Sequence, residues 1–244
     1  MKAMIFAAGK GTRLGTITGS MPKALVDING KTALRIAVER CYMHGFNDIL
    51  VNVHHFADMV EEEVEKLRME GYSITVSNER EQLLETGGGL FKARNFFDDK
   101  PFLVYNVDIV TDLDLTALYR FHLGNDGIAT LATRHRQGNR FLLINRDGLL
   151  KGWRNNATGE EILISRKNGK LEEIGFSGIH VVEPHIFKFM SEGVYTMTTL
   201  YLRLAKRQKI YSYIYDEGYW GDIGTPENLE HAREISKLPE RTGK

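Results

Sequence analysis

Met4-Ile5-Phe6-Ala7-Ala8-Gly9-Lys10-Gly11-Thr12-Arg13-Leu14 is the stretch whose reading decides the fold. Residues 3–8 are small or apolar at every position, as expected for a strand buried on both faces of a parallel sheet. The run then breaks at once into glycines and cations. Glycines let the backbone approach a ligand closely, and successive N–H groups in such a turn can hold phosphate oxygens. Arg13 offers a planar fork for phosphate, and Lys10 or Lys23 a mobile charge. The plainer alternative is a tight turn carrying solvated cations. Two familiar phosphate loops are excluded. Gly9, Gly11 and Gly15 have the wrong spacing for G-x-G-x-x-G, and Gly9-Lys10 is followed by glycine where a P-loop needs a hydroxyl residue.

Working outward, residues 1–135 alternate between short apolar runs and helical spacing. Strands are expected at 3–8, 49–53, 74–77, 102–105 and 128–133. Between them Leu34, Val38 and Cys41 share one helical face, and Val60, Val64 and Leu67 another. This alternation predicts an α/β fold with a mostly parallel central sheet flanked by helices. After about residue 134 the pattern changes. Short strands are expected at 141–144, 149–153, 161–165 and 175–182, with turns at Arg146-Asp147-Gly148 and Lys167-Asn168-Gly169. Helical spacing returns at 184–190 and 198–207, a strand follows at 210–215, and Thr225-Pro226-Glu227 opens a last helix to about 236. The expectation is one domain over 1–244, whose second half adds a small antiparallel part able to cover a substrate.

Composition narrows the class. Of 244 residues 42% are hydrophobic and 26% charged, which excludes a disordered or collagen-like chain. Lys plus Arg and Asp plus Glu are equal at 32 each, so there is no electrostatic case for nucleic acid or an anionic membrane as partner. Cys41 alone cannot form an internal disulfide, which suits a reducing cytoplasm. The apolar run at the N-terminus is too short for a signal peptide, and no stretch reaches the roughly 20 apolar residues of a membrane span. A cytoplasmic location is expected. Oligomeric state is not legible.

Further along, Pro22-Lys23 sets a second cation about ten residues beyond Arg13. Glu85-Thr86-Gly87-Gly88-Gly89 opens a helix whose free N–H groups and bare backbone would accept a flat nucleobase; the alternative is a hinge. Asp108 follows Phe102–Val107, at the carboxyl end of a central strand where open α/β sheets bind ligands. Asp222, in Gly218-Tyr219-Trp220-Gly221-Asp222-Ile223-Gly224-Thr225-Pro226, is the best second carboxylate for Mg²⁺, which is held by one or two carboxylates plus substrate phosphates. His54-His55 point to opposite faces of a strand and make poor joint ligands. Asp112-Leu113-Asp114 matches the D-x-D of metal-dependent glycosyltransferases, but a cap on the helix near 115–123 explains it as well. Tyr219 and Trp220 could line a sugar site.

Phe6–Leu14 with Pro22-Lys23, Asn106-Val107-Asp108 and Trp220–Pro226 together resemble the sugar-phosphate nucleotidyltransferase family, in the right order and over nearly the whole chain. Within it, Leu84–Gly89 is most similar to the uridylyltransferases of N-acetylmuramate 1-phosphate, a cell-wall recycling activity. Guanylyltransferases of mannose or heptose 1-phosphate are near relatives. The resemblance implies a Rossmann-like fold and nucleotidyl transfer from a nucleoside triphosphate, UTP or else GTP, to a sugar 1-phosphate, with Mg²⁺. It implies a nucleotide-binding part over 1–135 and a sugar-binding part over 136–225, followed by a C-terminal helix. It places the nucleotide on Ala8, Gly9, Gly11 and Thr12, the phosphates on Arg13 and Lys23, and the metal on Asp108 and Asp222. Glu79, Thr86, Gly87, Gly88 and Asn106 would meet the nucleoside, and Gly138, Glu173, Gly178 and Trp220 the sugar. Thr16, Ile17 and Asp27 depart from the family pattern, and 136–168 matches it poorly.

Overall fold

The short apolar runs form strands because each finds a partner on its edges. The computed structural model describes residues 1–9, 11, 19–165 and 169–238. In chain order the elements are β1 (Lys2–Phe6), β2 (Asp27–Ile28), β3 (Lys31–Thr32), α1 (Ala33–Met43), β4 (Asp48–Val53), α2 (Ala57–Met69) and β5 (Ile74–Asn78). Then come α3 (Glu85–Lys92), β6 (Phe102–Asn106), β7 (Ile109–Thr111), α4 (Leu115–Leu123), β8 (Ala129–Arg134), β9 (Arg140–Ile144), β10 (Leu150–Asn155) and β11 (Glu160–Leu163). The chain continues with β12 (Glu172–Val182), α5 (Met197–Leu204), β13 (Ile210–Ile214), β14 (Trp220–Asp222) and α6 (Pro226–Ile235). Strands β6, β1, β4 and β5 run parallel side by side, and β13 is parallel to β8. Strands β9 to β12 are antiparallel neighbours. The fold is therefore the expected α/β class: a mostly parallel central sheet between helices, with an antiparallel part.

Side chains alternate across the sheet, which sorts them into two cores. Ala3 and Ile5 of β1 pack with Leu34, Val38 and Cys41 of α1 and Val60, Val64 and Leu67 of α2. Met4 and Phe6 face the opposite way, onto Leu90 of α3 and Leu200 of α5. Each such wholly buried aliphatic side chain contributes about 1.5–3 kcal/mol. Thr32, Asp114 and Thr225 cap α1, α4 and α6 with their side-chain oxygens, and Pro226 starts α6 where a missing N–H costs nothing.

Several boundaries differ from the sequence reading. β1 ends at Phe6, not at 8, because the Ala7 N–H donates to Asn52 Oδ1 at 2.8 Å and leaves the ladder. Residues 184–190 form a 3₁₀ stretch, Pro184–Phe189, and α5 ends at Leu204. The two-residue pair β2–β3 and the three-residue pair β7–β14 were not expected. The halves also interleave. The 11 residues of β12 pair with β9 at Glu172–Ile174 and with β6 at Ile179–Val182, while β8 lies along the same strand.

Among the described residues no helix is long and apolar enough to cross a membrane.

Candidate active site

A cleft of about 520 Å³ opens at the carboxyl ends of β1, β4 and β6, the edge where α/β sheets bind ligands. Its floor is Phe6 to Gly9 with Gly11; Lys23 and Asn52 line one part, Asn106, Val107 and Asp108 another. Leu83, Glu85 and Thr86 approach from the start of α3, and Gly224 from the loop before α6. Ala8, Gly9, Gly11, Thr86 and Asn106 of the expected nucleotide site all line it. Gly11 adopts φ 64°, a conformation cheap only for glycine. Lys10, Thr12 and Arg13 lie outside the described residues.

Lys23 enters on a 3₁₀ turn, Lys23–Leu25, that starts after Pro22. The residue is 9% exposed and its ammonium pairs with Asp108 Oδ2 at 2.5 Å. β7 and β14 pair Asp222 with Ile109, and the Ile223 N–H donates to the Asp108 carbonyl at 3.0 Å. That short antiparallel pair is what brings the backbones of Asp108 and Asp222, 114 positions apart in the chain, side by side. Asp222 Oδ1 accepts from the Gly224 N–H at 2.7 Å and from Asn228 Nδ2 at 3.1 Å, and among the described residues no hydrogen bond is made to Oδ2. Among the described residues no three His, Cys, Asp or Glu side chains cluster for a metal. Asp108 and Asp222 are carboxylates of the kind that could hold a cation, such as Mg²⁺, whose other ligands come from phosphate and water.

On the base side of the cleft the expected contact residues have partners within the protein. The glycines of α3 face the protein itself. The Gly87 N–H donates to the Tyr195 carbonyl at 2.8 Å and the Gly88 N–H to the same oxygen at 3.3 Å. A Cβ on Gly88 would stand 2.0 Å from the Gly193 carbonyl oxygen, and one on Gly89 2.7 Å from Glu79 Oε1. Gly88→Ala is accordingly expected to cost about 1–3 kcal/mol by overpacking. Thermal melts should show a loss of several degrees.

Glu79 is 1% exposed and lies behind the cleft wall, not in it. Its Oε1 accepts from Asn52 Nδ2 at 2.8 Å and its Oε2 from the Leu84 N–H at 3.2 Å. Burial raises its pKa above the ordinary carboxylate value, against the lowering effect of those hydrogen bonds. Asn52 completes a relay, Glu79 to Asn52 to the Ala7 N–H, that fixes the end of β1. Sequence reading passed over Asn52. Its signal was a lone amide inside the apolar run Ile49–Val53.

On the other side, Glu173 does not line the cleft. Its carboxylate is taken by Asn156 Nδ2 at 3.1 Å and Arg154 Nη1 at 2.5 Å, and these two bonds lower its pKa. Gly178, at φ 80°, backs onto Asn106, whose Nδ2 would lie 3.1 Å from a Cβ there. The Trp220 indole N–H donates to the Ser177 carbonyl at 3.0 Å, and the Arg136 guanidinium lies 5.1 Å from the Trp220 ring centre. Gly138 adjoins Arg136. Asp114 caps α4, and the Asp112 carboxylate accepts from the Tyr219 N–H at 2.8 Å. The D-x-D pair thus has structural employment, and that glycosyltransferase reading loses its support.

His135 clips this region together. Its Nδ1 bonds Asp216 Oδ2 and its Nε2 bonds Glu172 Oε1, each at 2.7 Å. The two carboxylates, Glu172 foremost, raise its pKa. Stability from the clip is full below the ordinary histidine value of about 6.5 and lost as pH rises through the raised one. Melting temperature against pH should therefore decline across that window in the wild type and more weakly in His135→Gln.

A glycine turn at the end of a first parallel strand, facing a buried lysine ion-paired to Asp108, is the site of this α/β fold. Residues 2–237 match the nucleotidyl transferase family, and the chain belongs to it. It is 30% identical over 241 residues to N-acetylmuramate alpha-1-phosphate uridylyltransferase of Neisseria meningitidis, covering 97% of this chain and 98% of that protein. The Caulobacter vibrioides protein of the same name is 29% identical, over 92% of both chains. Mannose-1-phosphate guanyltransferase of Yarrowia lipolytica is 30% identical over 94% of this chain, which spans 62% of that protein. Among solved structures, inositol-1-phosphate CTP transferase from T. maritima superimposes with a TM-score of 0.78 at 14% identity, covering 100% of this chain and 98% of that one. HddC from Yersinia pseudotuberculosis complexed with GMP-PN gives 0.75 at 22%, covering 96% and 98%. These two share the fold.

Proposed function

We propose that this protein transfers a uridylyl group from UTP to N-acetylmuramate 1-phosphate, releasing pyrophosphate. The observation that carries the reading is the Lys23–Asp108 ion pair in the cleft lining, with the Asp222 strand paired beside Asp108. The choice of nucleotide and sugar is supported by two relatives of that activity matched over nearly their whole length. A guanylyl transfer to mannose 1-phosphate is the second reading, supported by the Yarrowia lipolytica relative.

In the reaction a phosphate oxygen of the sugar 1-phosphate bonds to the α-phosphorus while the bond from that phosphorus to the β-phosphate bridging oxygen breaks. The electron pair leaves with pyrophosphate. The nucleophile is already an anion, so no general base is needed, and positioning and charge neutralisation dominate. The turn Ala8 to Gly11 cradles the triphosphate. Lys23 leaves Asp108 to meet the charge that builds at the α-phosphate, and Arg13 grips the departing pyrophosphate. Asp108 and Asp222 would hold Mg²⁺, which would supply further charge neutralisation to the phosphates.

Pyrophosphate release is the test, with UTP, GTP, CTP, dTTP and ATP crossed against the 1-phosphates of N-acetylmuramate, N-acetylglucosamine, glucose, mannose and heptose. Turnover of UTP with N-acetylmuramate 1-phosphate is expected. Turnover confined to GTP with mannose or heptose 1-phosphate would replace that reading with the second.

A further inference from the structure

Beyond the cleft, one half-buried cation has no direct ion-pair partner among the described residues. In β14 the middle residue, Gly221, faces α6, since a Cβ there would meet Ile235 Cδ1 at 2.9 Å. Trp220 and Asp222 therefore share the opposite face of the strand. Arg136, two residues past the end of β8, lies over the Trp220 ring on that face. It is half-buried, and burial lowers its pKa while the charge of Asp222 opposes the shift. An arginine stays ionised nonetheless.

Its donors are poorly used. Nη1 donates to the Gln137 carbonyl at 3.2 Å and Nη2 to the Phe176 carbonyl at 3.5 Å, both long, and Nε is buried with no hydrogen-bond partner. Among the described residues it has no ion-pair partner, whereas Arg35, Arg80 and Arg154 fork onto carboxylates. A desolvated guanidinium in this state is costly unless something anionic completes it.

The place is nevertheless shaped for it. A Cβ on Gly175 would stand 2.5 Å from Arg136 Nε, and one on Gly138 2.7 Å from its Nη1, so glycines from β12 and from the loop after β8 make room for this side chain. The wall is continuous with the cleft. Ser177 accepts from Trp220, and the next residue, Gly178, backs onto Asn106 of the cleft lining.

We propose that Arg136 is the residue that reads an oxyanion of the sugar 1-phosphate, its guanidinium stacked on Trp220 beside Asp222. The oxyanion is either the 1-phosphate itself or a carboxylate on the sugar. The assignment rests on the sugar-phosphate reading above and deepens it.

The experiment measures steady-state kinetics of wild type, Arg136→Gln and Arg136→Lys with N-acetylmuramate 1-phosphate and N-acetylglucosamine 1-phosphate, which lacks the carboxylate. Calorimetric binding of both compounds, in the presence of a non-hydrolysable nucleoside triphosphate analogue, gives a readout free of turnover. Arg136→Gln is expected to raise acceptor KM and Kd by about 10- to 100-fold, the size of a lost charge-assisted bidentate contact, with nucleotide KM unchanged. Arg136→Lys keeps the charge without the fork and should fall between. Loss with both acceptors assigns the phosphate; loss with N-acetylmuramate 1-phosphate alone assigns the carboxylate. Acceptor KM and Kd within twofold of wild type, in a variant with an unchanged melting curve, would overturn the proposal. So would a change in nucleotide KM alone. If the wild type turns over a different sugar 1-phosphate, the uridylyl reading fails, and the same variants measured on that acceptor still decide Arg136. Wild type that binds no sugar 1-phosphate overturns both.

Discussion

Lys23→Met is expected to lower kcat by about 10²- to 10³-fold, the effect of removing one preorganised donor from a developing charge. The ammonium is held at Asp108 on a turn pinned by Pro22, so it stands at the cleft before any phosphate arrives. Methionine keeps most of the stem volume in a position that is 9% exposed, so the fold should persist. Nucleotide KM should move less than kcat, because the charge at the α-phosphate grows mainly on the way to the transition state. The check is kcat and KM for both substrates beside a melting curve. A kcat near wild type would remove Lys23 from the reaction.

Asp222→Asn is the second large effect. Asparagine retains Oδ1 as acceptor for the Gly224 N–H and Asn228 Nδ2, so the loop before α6 keeps its form while the charge is lost. If Asp222 holds the cation, kcat at saturating substrate should fall by about two to three orders of magnitude at low Mg²⁺. Raising Mg²⁺ should recover part of it. An unchanged dependence on Mg²⁺ concentration would separate Asp222 from the metal.

What was legible in the sequence follows from distance along the chain. The end of β1, Lys23 and the end of β6 could be read because each lies in an unbroken local pattern: an apolar run, then glycine, or then aspartate. Asp222 was legible by its dense neighbourhood of Gly, Pro and Trp, although the three-residue pairing that brings it to Asp108 was not. The α3 glycines stand out in the sequence, but the packing that requires them does not. Their partners are Tyr195 and Gly193, more than 100 positions away, and no local rule announces that contact. Glu173 had the chemistry of a ligand but lies across from Arg154 and Asn156, which occupy it. Arg136 went unremarked for the converse reason. An arginine among Arg134, Arg136 and Arg140 looks like a solvated strand end until Trp220, Gly138 and Gly175 close around it.

The way β12 is laid between β6 and β8 has a consequence for how the molecule is made. Until residues 172–182 leave the ribosome, β6 and β8 each offer a row of unpaired amides and carbonyls flanked by apolar side chains. Such edges invite pairing with other nascent chains. The parallel strands are no help, because they need long-range closure and form slowly. Completion of the sheet therefore waits on the arrival of a late segment. A nascent chain halted before β12 would be a sticky intermediate and not a smaller working enzyme.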